Sequence, residues 1–326
     1  MNDRRLAIGG KRVPRRVSLR QLAGLSTSGD SIIAYRLSPI VTVSSFAGRE
    51  VAAAPITMLL TLACAAGTLV LPMLQFQRFS EDGRLPRDCG LAGTVLFGLL
   101  LALGGAGRLY QALRGGTCAL AFVKPLSRGT WLAGQLGGQL LGLGLFLATQ
   151  APALLIAEAA APRYHTTGRF ADIPTILAAL GALVGAVALA AAANRVRSAR
   201  FALSANLLMP CALWAFVLLR SFDGPLHWGT LSALPALFAL LAQAAAVALA
   251  LATALPPGLT AALTVLAVGL DLVFLGGSAY LPFDALSSAA AGSVAPTTLL
   301  LLLPQPLCLA LLCLHLGARR LARSSV

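Results

Sequence analysis

Apolar residues run through this chain in long blocks that neither alternate with a period of two nor form one stripe of a 3.6-residue helix. Eight blocks stand between charged stretches: 51–75, 91–107, 131–157, 173–193, 201–219, 236–255, 259–281 and 294–316. A helix crosses the hydrocarbon layer with about 20 apolar residues, so each block predicts a transmembrane helix. The second is the shortest and holds five glycines, and the last holds Pro304 and Pro306. Prolines are tolerated in membrane helices because neighbouring groups re-satisfy the freed carbonyls. The fold class predicted is all-α, a polytopic helical membrane protein of about eight spans. The Pro256-Pro257-Gly258 tip between the sixth and seventh blocks carries no charge. A re-entrant hairpin there, leaving six true spans, is the alternative.

Composition agrees with the pattern. Hydrophobic residues make up 58% of the 326 and charged residues 11%, where soluble domains carry about 25% charge. The net charge is nevertheless +14. Placing the cations on the loops explains it, because cytoplasmic loops concentrate Lys and Arg. Taken alternately, one set of loops and termini holds nineteen of the 25 Lys and Arg, and the other set six. Both termini are therefore expected in the cytoplasm, and a nucleic-acid partner is not. Residues 1–50 precede any apolar block, so insertion is expected to use an internal span rather than a cleaved signal. The stretch 11–20, with five basic residues, suits membrane lipids bearing anionic headgroups.

Catalytic chemistry is sparse. The chain has no phosphate-cradling Gly-x-x-x-x-Gly-Lys-Ser/Thr, no His-Glu-x-x-His and no Gly-x-Ser-x-Gly. Its six cysteines lack Cys-x-x-Cys spacing and its three histidines do not cluster in sequence, so no metal ligands are assigned. Asp271, in the middle of the seventh block with no cation beside it, is the ionisable residue placed inside a span. Such residues are costly and usually functional, which makes Asp271 a candidate for a substrate path or an ion-coupling step. Gly134, Gly138 and Gly142 recur every four residues along the third block, as do Gly181 and Gly185 on the fourth. Spacing of this kind lets helices approach closely in lipid.

The loop 108–128 is built as a surface element. Gly115 and Gly116 break the preceding helix, Thr117 can cap a short new one, and Pro125 restricts Lys124 and ends it. Ser127 can cap the third span, with Arg128 at the interface. This stretch resembles the permease subunits of type-2 ABC exporters, in which a Gly-Thr is followed by a Pro eight residues after the Thr, then x-Ser-Arg and a Gly-x-x-x-Gly. Here those residues are Gly116-Thr117, Pro125, Ser127-Arg128, Gly134 and Gly138.

The resemblance implies a coupling helix that docks on a separate ATP-binding subunit, flanked by Arg114, Lys124 and Arg128. It also implies a dimer of permease domains, formed with a second copy or a paralogue in a bacterial inner membrane. No cofactor is then bound by this chain, and ATP and Mg sit on the partner subunit. Residues 1–50 become a basic cytoplasmic segment with an interfacial elbow at 38–54, and 51–326 the permease domain. Acidic residues usual around the coupling helix are replaced by Gln111, Ala112, Arg114 and Ala119, and a usual Lys by Gln135. Two other readings fit the composition: a secondary transporter using Asp271 as its ion site, and a non-transporting scaffold subunit.

Overall fold

A computed structural model describes residues 29–74, 84–115, 127–161, 171–198, 200–221, 226, 228–274 and 304–323. Among the described residues all regular structure is helical. Nine α-helices follow in order: α1 (Gly29–Ala52), α2 (Pro55–Val70), α3 (Arg84–Arg114), α4 (Arg128–Ala160), α5 (Ile173–Arg197), α6 (Phe201–Arg220), α7 (Leu234–Ala252), α8 (Pro257–Phe274) and α9 (Pro304–Arg323). Six stretches are long and apolar enough to cross a membrane: Pro55–Leu74, Pro86–Arg114, Arg128–Ala160, Ile173–Val196, Phe201–Arg220 and Trp228–Ala252. They correspond to the first six blocks. The seventh and eighth blocks run partly beyond the described residues.

Helix α4 is the centre of the bundle. At 33 residues it is about 50 Å long, and it contacts α1, α2, α3, α5, α6, α7 and α9. Two groups of buried side chains meet on it. One joins α4 through Leu132, Leu143 and Phe146 to Leu91 and Leu109 of α3 and to Leu237 and Leu249 of α7. The other joins it through Leu155 and Ile156 to Leu69 of α2, Leu183 of α5 and Met209 of α6. Pro152 lies within α4 and Pro210 within α6, as a polytopic bundle allows.

One expectation is corrected. The second span is not short, since α3 has 31 residues and its apolar stretch runs Pro86–Arg114. Gly90, Gly98 and Gly105 are closely packed, whereas Gly93, Gly104 and Gly107 face open space among the described residues. A Cβ at Gly98 would meet Leu241, and one at Gly105 would lie 2.2 Å from the amide of Gln139. That amide donates to the carbonyls of Ala102 at 2.6 Å and Leu101 at 3.3 Å.

Position 50/51, where the expected permease domain begins, falls inside α1. The part of α1 placed in the expected elbow runs alongside α4, pairing Val43 with Gly134, Ser44 with Gly137, Ala47 with Gly138 and Val51 with Gly142. Numbers rise together on both helices, so α1 is parallel to α4 for roughly 12 Å. The chain then breaks at Ala53-Ala54, where extended Ala54 precedes Pro55 at the start of α2, the geometry a following proline demands.

Candidate functional site

From α2 to α6 the helices alternate in direction, and α1 runs parallel to α4. The end of α3 and the start of α4 lie at one end, where Arg128 of α4 donates to the carbonyl of Leu321 near the end of α9; the starts of α2 and α6 face the same side but about 20 Å further along α4, near the level of Gly142. Of the loop residues singled out, Gly116, Thr117, Lys124 and Pro125 lie outside the described residues. Arg114 closes α3, exposed, with its guanidinium 5.5 Å from the centre of the Tyr110 ring, a cation–π distance. Ser127 caps α4, its Oγ accepting from the Thr130 backbone N–H at 3.1 Å. The C-terminal flank of the loop is thus held by a helix cap and by a link to α9, while the N-terminal flank ends exposed at Arg114.

The glycines of α4 have a definite partner. A Cβ at Gly134 would lie 2.4 Å from Val43 Cγ1, one at Gly138 2.4 Å from Ala47 Cβ and 2.6 Å from the Gly48 nitrogen, and one at Gly142 2.4 Å from Val51 Cγ1. Gly181 and Gly185 of α5 differ, with nothing within 4 Å of an added Cβ. The expectation that both ribbons serve close packing within the chain therefore holds only for α4. Asp271 falls in α8, but its side chain lies outside the described residues.

The opposite end carries an ion pair that the sequence did not point to. Arg87 of α3 and Glu158 of α4 are 6% and 9% exposed. Arg87 Nη1 lies 3.6 Å from Glu158 Oε1 and its Nε 3.6 Å from Asp88 Oδ1. The Thr230 hydroxyl, just before α7, donates to Glu158 Oε2. Three elements are tied together by one carboxylate. Asp271 is therefore not the sole ionisable residue within the helices of the bundle.

Both residues were missed for the same reason. Glu158 is one residue past the block 131–157 and Arg87 four before the block 91–107, so each counted as loop. The available signal was Ala157-Glu158-Ala159-Ala160, an acid inside an otherwise apolar run. A second ion pair at this end, Arg220 to Asp172 at 2.9 Å, is more exposed, at 39% and 35% of its side chains. Asp172 also caps α5, accepting from the Thr175 N–H at 3.2 Å.

This arrangement offers neither a nucleophile with a base nor a phosphate cradle among the described residues. It supplies a helical bundle with one end tied by buried charge and the other holding the exposed end of α3 and the capped start of α4. Comparison with protein-family models, with curated proteins and with solved structures returns no match.

Proposed function

We propose that this chain is the membrane-spanning permease subunit of an ABC transporter, moving a substrate across the bilayer with ATP hydrolysed on a separate subunit. The observation that carries the reading is the loop between α3 and α4. Its sequence spacing, from Gly116-Thr117 through Pro125 to Ser127-Arg128, matches a coupling element, and its C-terminal flank is anchored by the Ser127 cap and the Arg128 link to α9. A loop that receives force from a partner requires such anchoring, because a slack flank would absorb the motion.

In this reading the chain has eight spans with both termini in the cytoplasm of a bacterial cell, and the 19-to-6 division of cations sets the orientation. Two such chains, identical or paralogous, enclose the path, and Asp271 contributes to its wall. ATP and Mg belong to the partner.

The test is copurification from the native membrane. An ATP-hydrolysing subunit should accompany the full chain and be lost on Pro125→Ala combined with Thr117→Ala, while the chain itself still folds. Transport driven by a proton or sodium gradient, with no ATPase in the preparation, would overturn the reading.

A further inference from the structure

A cavity of about 700 Å³ opens where α1 ends and α2 and α6 begin. Arg108 of α3, Arg200 at the start of α6 and Glu50 of α1 provide its charges, while Met58, Leu59 and Phe201 provide apolar wall. Among the described residues no carboxylate is within ion-pairing distance of either arginine, although Glu50 is near enough to act on Arg108 electrostatically. Two cations against one anion leave the cavity with a net positive charge. Volumes of about 300–1,000 Å³ are typical of small-molecule sites.

Its depth relative to the membrane follows from helix lengths. The spans Pro55–Leu74 and Phe201–Arg220, each of 20 residues, both begin at the cavity, and about 20 residues are what the hydrocarbon core requires. The arginines therefore sit at headgroup depth. Leu59, which lines the cavity, and neighbouring Ile56 are 54% and 55% exposed, so the wall continues onto an apolar outer surface.

A charged mouth at headgroup depth joined to a lipid-facing apolar wall matches an anionic amphiphile. We propose that this cavity is a binding site for one anionic phospholipid, its phosphate held by Arg108 and Arg200 and its acyl chain against Met58, Leu59 and Phe201. The site does not depend on any ATP-binding partner. Glu50 opposes the phosphate and sets a limit on affinity.

Native mass spectrometry of the full chain, released from neutral detergent and titrated with phosphatidylglycerol, phosphatidylcholine or inorganic phosphate, tests the assignment. Phosphatidylglycerol should persist as a single adduct under activation that strips phosphatidylcholine, and millimolar inorganic phosphate should not displace it. Arg200→Gln should reduce the adduct about fivefold, the effect of one near-surface cation, with Arg200→Lys retaining it. Arg200 is exposed, so its variants keep the fold even where Arg108→Gln does not. Glu50→Gln should raise retention, a gain that a purely structural role would not produce. Equal retention of phosphatidylcholine, displacement by inorganic phosphate, or an unchanged adduct in Arg200→Gln would each overturn the proposal.

Discussion

Helices α4 and α5 are neighbours in sequence and both qualify as spans, yet 72% of the apolar stretch of α4 is buried within the protein and 28% of that of α5. The more apolar of the two is the exposed one. In water the opposite holds, because exposure selects polar residues. In lipid the solvent is as apolar as leucine, so polar groups and glycines mark the interior instead. Helix α4 accordingly carries Gln139, Gln150, Glu158 and the glycine row inward. Helix α5 turns Leu177, Val184 and Leu189 outward at 58–65% exposure.

The largest test of this contrast is the glycines. Gly138→Leu forces a side chain against the backbone nitrogen of Gly48, and should cost about 3 kcal/mol or more, at or above the usual range for overpacking. Gly185→Leu on α5 meets open space and should stay within about 0.5 kcal/mol, as surface substitutions do. Thermal unfolding of the detergent-solubilised protein measures both, and equal midpoints would remove the distinction between the two helices.

Charge gives the next effect. Removing one partner of a buried pair strands the other, so Arg87→Met or Glu158→Leu alone should cost about 3–5 kcal/mol. The double substitution should recover most of that loss, since two apolar side chains then fill the space. Asp172→Asn, which weakens the more exposed pair with Arg220, should cost about 1 kcal/mol or less. A double-mutant cycle on Arg87 and Glu158 with no coupling would show that the pair is not what joins α3 to α4.

The smallest effect belongs to the amides. Gln139→Leu removes the hydrogen bonds to Ala102 and Leu101 and places a branched chain against Gly105. Interhelical hydrogen bonds in membranes average about 0.6 kcal/mol, so a loss near 1 kcal/mol is expected. Comparable substitution of Thr175 Oγ1, which bonds Asp172 at the solvent-facing start of α5, should cost less.

Much of the helical layout was legible before any coordinates, because hydropathy is a local property and each span must satisfy its own backbone. The blocks 173–193 and 201–219 fall within α5 and α6, and Ser127 caps α4 as its position before a helical run suggests. Helix α3 was read too short because the charges Asp88 and Arg108 bound its apolar block, although both lie within the helix. Arg87 and Glu158 read as loop residues because each stands just outside an apolar block. Their burial depends on two helices ending at the same level, which no single segment encodes.

Sequence alone determined that this chain is helical and where six segments long and apolar enough to cross a membrane lie. The reason is the bilayer itself, which imposes length, apolarity and charge asymmetry on each segment separately. Tertiary structure alone decided that α4 is the axis, that its glycines receive α1 while those of α5 receive nothing among the described residues, and that Arg87 meets Glu158. Those outcomes depend on which helix faces lie together, and identical Gly-x-x-x-Gly spacing in two helices carries no information about which one has a neighbour.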